Sequence, residues 1–377
     1  MVAPVGGKTK ASNAGGEIAS VVQIGHVVLL QDGAAAKNAN GTNRPAEAGL
    51  RATADRADYD GPSQLLHLSG APRIQDGALD LAATRIDFAR VSGDAFAHGD
   101  VKASWTNSPG SGGKADALPG TTLLAGPGAS GPIHAIAAEA ELRRSTGEVV
   151  FRGSGANGNL PRLWQGANSL AAPVITLNRL KQTLTAVGTG AANPVRAVLV
   201  RATNAKAAGP EKDNAKAKDK GPSVIRLRSG ELRYSEGERL ALLKAGAVGS
   251  VTAETTESGG AATVNSQEAE VRLLPAGVHS AAANAGGASG NTSVDQMIAR
   301  GHVVVDWPGR RGTGEKLVYL SEDGTYTLTG TSAVRPRITD QVRGTVTGAA
   351  LIFHSRDDSV TVEGDGTKTV TETQSPK

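Results

Sequence analysis

There is no cysteine anywhere in the 377 residues. That excludes a disulfide framework, thiolate metal ligation and a cysteine nucleophile. Aromatic residues make up only 3% of the chain, so any core must be a thin one built from Ala, Val and Leu. Neither charge sign dominates. Lys+Arg 40 stand against Asp+Glu 36 and are interleaved along most of the chain, which leaves no basic stripe of the kind nucleic acid requires. No uninterrupted apolar run approaches the roughly 18 residues of a membrane-spanning helix. The first twenty residues lack the apolar stretch of a secretory signal, which leads to the expectation of a cytoplasmic chain or one trimmed from a longer protein. With 20% charged and 39% apolar residues, the composition is that of a globular chain, not a disordered one.

What is present is β periodicity. Short alternating segments separated by Gly, Pro, Asn and Asp recur throughout, and helical periodicity is scarce, so the chain reads as all-β. Residues 31–48, 106–132 and 203–222 interrupt the pattern with Gly, Ala, Asn, Pro or Lys and read as loops. The run from Lys206 to Lys220 alternates Lys with Asp and Glu, as a solvated insertion does.

Internal repetition is the strongest signal. Pro72-Arg73-Ile74, Pro161-Arg162-Leu163 and Pro336-Arg337-Ile338 share one tripeptide pattern. From Pro72 the chain runs to Gly77-Ala78, Leu81-Ala82-Ala83, Ile86 and Gly99. An offset of 89 residues gives Gly166-Ala167, Leu170-Ala171-Ala172, Ile175 and Gly188 without a gap. A strand ending in Gly precedes each Pro-Arg, with Leu66 and Leu68, Val149 and Phe151, or Tyr326 and Leu328 on its apolar face. The 175 residues between the second and third Pro-Arg leave room for a degenerate copy around Leu232, Tyr234, Leu240 and Leu242. The organisation expected is a tail 1–20, units at 21–105, 133–202, 223–300 and 301–366, the insertions 106–132 and 203–222, and a tail 367–377.

Ala52, Ala54, Ala57, Tyr59 and Leu81, Ala83, Ile86, Phe88 both step by two, three and two. Ala135, Ala137, Ala140, Leu142, then Leu170, Ala172, Ile175, Leu177, then Val346, Gly348, Leu351, Phe353 do the same. A step of three inside a period of two is what a β-bulge produces, so each of these is expected to be one long strand bent at its middle. The small residues Ala54, Ala83, Ala137, Ala172 and Gly348 suggest an inner face that leaves an open cavity.

These units resemble the OstA-like repeats of the LptA family of lipopolysaccharide transport and of the related domain of LptD. The likeness is carried by Gly25-His26-Val27-Val28, Ala54 to Tyr59, Leu66 to Gly70, Pro72 to Asp76, Leu81 to Phe88, Gly99-Asp100-Val101, Gly301-His302-Val303-Val304, Tyr319, Gly330 and Val346 to Phe353. The resemblance implies an extended open β-jellyroll, V-shaped in section, periplasmic and non-enzymatic, that shelters the acyl chains of lipopolysaccharide between the inner and outer membranes. It implies a lipid-binding groove lined by Val28, Ala54, Tyr59, Leu66, Leu68, Ile74, Leu81, Ile86, Phe88, Val149, Phe151, Leu163, Leu170, Ile175, Leu177, Tyr319, Tyr326, Leu328, Ile338, Leu351 and Phe353. Partners implied are acylated lipid and β-edge pairing with other bridge components or with itself; no cofactor or metal is implied. The alternative from another class is a structural β-repeat protein of the cell envelope whose interior is filled by its own side chains.

Other motifs point nowhere further. Gly153-Ser154-Gly155-Ala156-Asn157-Gly158 has the spacing of a dinucleotide loop, but the chain continues to Pro161 and a strand, with no helix to receive a pyrophosphate. Gly7-Lys8-Thr9 lacks the first glycine of a phosphate loop, Val2 standing in its place. No serine sits in a G-x-S-x-G elbow. His26, His67, His98, His134, His279, His302 and His354 are not paired at zinc spacing. His26 and His302 share a repeat position, which reads as a surface strand residue carried through duplication. Arg73, Arg162 and Arg337 alternate with buried apolar neighbours and read as solvent-facing, with lipid phosphate as the alternative partner.

Overall fold

The computed structural model describes residues 19–31, 49–106, 120–124, 131–155, 158–201, 223–257, 260–274, 294–320, 322, 325–331, 333–342, 344–354, 359–364 and 370–372. Residues 1–18 of the tail 1–20, the insertion 203–222, all of the loop 31–48 but Gln31, and most of 106–132 lie outside them. The described residues form 28 strands, every pairing antiparallel, in one hydrogen-bonded network. This is the all-β chain that the alternation pointed to, arranged as the jellyroll that the resemblance implied.

Its organising elements are three hairpins of long strands: Ser20–Gln31 with Leu50–Asp60, Ala95–Trp105 with Ile133–Arg143, and Val294–Trp307 with Arg310–Leu320. Each hairpin shifts register at its middle, between Ile24 and Val27, His98 and Val101, and Arg300 and Val303. At each shift a Gly and its successor have positive φ: Gly25-His26 at 87° and 40°, Gly99-Asp100 at 72° and 46°, Gly301-His302 at 79° and 49°. Two consecutive left-handed residues turn the strand sharply, which Gly permits at no steric cost. The repeated Gly-His and Gly-Asp pairs are therefore crease-makers. His26 and His302 are exposed, as a surface reading requires.

Because the long strands bend, the network folds into two leaves. In the first, the half-strands 20–24 and 56–60 continue through Leu65–Ser69, Arg85–Ala89, 95–98, 139–143, Glu148–Arg152, Val174–Asn178 and Thr183–Val187. It then runs through Glu231–Ser235, Leu240–Lys244, Glu268–Leu273 and 294–300 to Thr325–Thr329, Ala350–His354 and Ser359–Glu363. The second leaf carries the other half-strands together with Arg73–Asp76, Leu79–Ala82, Arg162–Gln165, Asn168–Ala171, Val195–Arg201, Ser223–Ser229, Val251–Glu257, Gly260–Ser266, Arg337–Asp340 and Gly344–Thr347. Within each leaf apolar residues alternate inward and charged ones outward, the period-two pattern of a half-buried strand.

Two expectations need correction here. Leu81 to Phe88, Leu170 to Leu177 and Val346 to Phe353 are not single bent strands. Each is two strands in different leaves, broken at 83–84, 172–173 and 348–349. The step of three is real, but it marks the chain crossing between leaves; a bulge and a crossing both cost one residue before the apolar face is regained. The small residues, too, sit at the crease and not around a cavity. Ala172 is fully buried, and a Cβ on Gly348 would lie 2.6 Å from Val362 Cγ1 and 3.0 Å from the Glu363 carbonyl. Ala54, Ala83 and Ala137 occupy the same apex. They are small because the leaves approach most closely there.

Candidate functional site

The connections sort themselves by side. Passages between leaves, at 70–72, 83–84, 172–173, 267 and 348–349, lie at the crease, where Asp55 N–H donates to Gly70 O (3.0 Å), Thr84 N–H to Gly99 O (2.8 Å) and Gln267 N–H to Gly301 O (3.0 Å). The turns at 61–64, 77–78, 144–147, 166–167 and 308–309 stay within one leaf and lie on the opposite side. The two inner faces therefore form an apolar slot closed along the crease, and among the described residues its other side is bounded by these turns and by the helical turn Thr121–Leu124.

Filling varies along the slot. Leu68, Ile74, Leu81, Ile86, Phe88, Phe151, Leu163, Leu170, Ile175, Leu177 and Leu351 are sealed inside, and Ala54, Val149, Leu328 and Ile338 nearly so. Tyr59, Leu66, Tyr319, Tyr326 and Phe353 are half-buried. One of the expected lining residues is misplaced: Val28 is 51% exposed on the outer face, and its neighbour Val27 takes the inner position at 4%. Val27 lies opposite the buried Ala54 and shares its inward side, whereas Val28 lies opposite Thr53.

The core falls into two clusters, one running from Val27 to Leu273 and the other from Ala299 to Leu351. Val271, Val294, Val264 and Met297 are only partly buried where the clusters meet. Beyond them the slot is lined by an aromatic group: Tyr319 lies 4.6 Å from Tyr326, Tyr326 6.1 Å from Phe353, and Phe353 5.4 Å from Trp307 between ring centroids. Trp105 holds the matching place in the first half, edge-on to Phe151 at 5.8 Å, but is buried. Sequence reading passed over both tryptophans as lining residues, although each closes a Gly-x-Val to Trp segment that marks the same position. It also passed over Leu123 and Leu124, which are buried within the segment read as a loop.

The outer faces carry ion pairs, some within one strand and some across two. Arg73 pairs with Asp80, which makes it the solvent-facing residue expected, and Arg162 stacks over Trp164. Arg337 is exposed. Among the described residues no group of three or more potential metal ligands occurs, and no helix is long and apolar enough to cross a membrane. The chain after Gly158 enters the strand Arg162–Gln165, not a helix. A cavity of about 410 Å³ at the crease, between Val187–Gly190 and Lys244–Val248, is walled half by glycine and alanine and otherwise mostly by Glu231, Lys244, Gln267 and Glu268.

The most heavily paired outer group is Asp87. Arg85 grips both of its oxygens at 2.9 and 2.5 Å, His67 Nδ1 lies at 2.7 Å and His98 Nε2 at 3.3 Å. Burial works against its charge, but the hydrogen bonds from Arg85 and His67 outweigh it and hold the carboxyl below the ordinary carboxylate range. A depressed folded-state value contributes stability above the unfolded pKa, and that contribution is lost as pH falls through the folded one. Asp87→Asn should cost about 1–3 kcal/mol at pH 7. Thermal melts should show the gap to wild type narrowing as pH falls below the ordinary carboxylate range and through the depressed folded value; a gap that stayed constant with pH would show that charge plays no part.

No family model matches the chain, and no curated protein matches it. Among solved structures it is similar to LptH, the LptA homologous periplasmic component of the conserved lipopolysaccharide transport device from Pseudomonas aeruginosa. The identity is 13%, covering 37% of this chain and 82% of that one, with a TM-score of 0.28.

Proposed function

We propose that this chain is a non-enzymatic, periplasmic acyl-chain-binding protein, a length of conduit for lipopolysaccharide or another acylated lipid between inner and outer membranes. The observation that carries the reading is the slot itself: two inner apolar faces with their leaf-to-leaf crossings on one side. Each buried methylene contributes about 0.8 kcal/mol, so an apolar slot holds acyl chains without any catalytic group. The half-buried aromatics at 307–353 are where a chain could enter without displacing a packed core. The sealed side chains between Leu50 and Ala197 favour a second reading, a structural envelope repeat that is simply filled.

A photo-crosslinking residue separates the two. Placed at Phe353, whose side chain is half-buried in the slot, it should capture acylated lipid; placed at Ile352, on the opposite face of the same strand, it should not. Failure at Phe353 under conditions of lipid excess would favour the filled repeat.

Assembly follows from the first strand. Ser20–Gln31 pairs only with Leu50–Asp60 among the described residues, and it exposes Val22, Ile24, Val28 and Leu30. Such an edge is a template for strand addition. Sedimentation should show concentration-dependent association that Val28→Lys with Leu30→Lys abolishes while the melting temperature is unchanged. Association that survives both lysines must use another surface.

A further inference from the structure

The hairpin Ala95–Trp105 with Ile133–Arg143 is hydrogen-bonded up to the pair Trp105 and Ile133, yet 27 residues, 106–132, join these two. Its counterpart pairs Trp307 with Arg310 across only two residues. Two residues suffice to close such a hairpin, so the long connection is not needed for strand pairing. Part of it returns to the mouth of the slot. Gly120 and the single helical turn Thr121–Leu124 lie there, with Leu123 and Leu124 inside the core cluster at 4% and 1% exposure.

This turn is held from both leaves. The Gly120 N–H donates to the Glu236 carboxylate at 2.9 Å, from the first leaf. From the second leaf, the buried Asn168 Nδ2 donates to the Leu124 carbonyl at 3.1 Å; Gln165 Nε2 holds the end of the connection, donating to the Gly131 carbonyl at 2.9 Å. Asn168 Oδ1 is fixed by the Val200 N–H at 2.7 Å, so its amide is aimed. At the other end of the slot no described residue takes this place, and Trp307, Tyr326 and Phe353 are left half-buried. Among the described residues the same slot is thus stoppered in one half and unstoppered in the other.

We infer that Thr121–Leu124 is a displaceable stopper seated in an acyl-chain subsite beside Leu177, Leu184 and Asn168. Stopper and acyl chain compete for that subsite. Two isobutyl groups fill the apolar part as methylenes would, and Asn168 Nδ2, which now serves a peptide carbonyl, suits the carbonyl of an acyl ester or amide. The inference rests on the lipid-conduit reading and adds to it a place and a gate.

A covalent lock tests it. A Cβ built on Gly120 lies 3.8 Å from Leu184 Cβ, the separation of a disulfide, and the chain has no other cysteine. The full chain carrying Gly120→Cys and Leu184→Cys is irradiated with a C16 fatty acid methyl ester bearing a diazirine, and labelled peptides are mapped. When oxidised it should label strands 168–171 and 183–187 at least ten-fold less than when reduced, with labelling of 325–329 and 350–354 unchanged. Leu123→Ser with Leu124→Ser should raise labelling of the first pair of strands several-fold. Equal labelling of those strands in locked, reduced and serine forms, with 325–354 still labelled, overturns the stopper and leaves the conduit standing. No labelling of either region in any form overturns both. If the double-cysteine chain does not fold, the serine pair decides, and unchanged labelling there counts against the stopper.

Discussion

Leu68→Asp is expected to remove most of the protein's stability, by at least about 4 kcal/mol, whereas Tyr326→Asp leaves it folded. Leu68 is completely sealed between the leaves, so the substitution both deletes a packed side chain and forces a carboxyl into a dry interior. Tyr326 lies in the corresponding strand at the place of Leu66, one inward position further from the closing Gly than Leu68 and its counterpart Leu328, and there its ring is half-buried and a carboxylate keeps access to water. Denaturant titration of the two variants measures the difference directly. Comparable losses would mean that the slot is closed along its whole length, and the entry point assigned to Trp307, Tyr326 and Phe353 would have to be given up.

Ala172→Leu and Gly348→Leu form the second test, at the crease. If these positions faced an empty cavity, a larger side chain would be tolerated or even stabilising. Because the leaves meet there, with a Cβ on Gly348 already 2.6 Å from Val362 Cγ1, each should cost about 1–3 kcal/mol or more through overpacking. Phe353→Ala removes far more volume from a half-open wall and should cost less than its size suggests, since water can fill the space. Melting temperatures in the order Phe353→Ala above Gly348→Leu would place the tight contact at the apex; the reverse order would put it at the mouth.

Much of this architecture was legible in the sequence. Period-two alternation with frequent Gly and Pro determined an all-β chain, and the Pro-Arg tripeptides and the Gly-x-Val segments marked corresponding positions along it. The reason is local: strand alternation and positive-φ glycines are written within a few residues of where they act. Arg73 could be placed on the outside for the same reason, and so could the strand after Gly158. Tertiary structure alone decided the rest. A step of three reads identically for the continuous bent strand at Ala54 to Ala57 and for the break between strands at Ala83 to Ile86, because only hydrogen-bond partners tell the two apart. Which of Val27 and Val28 points inward depends on register with the partner strand, where Val27 meets the buried Ala54 and Val28 meets Thr53. Whether an alanine means empty space or close approach depends on the opposite wall, which local pattern does not contain. Leu123 and Leu124 carry no periodicity at all; they become part of the slot only because Asn168, Gln165 and Glu236, distant in sequence, are brought to one mouth by the fold.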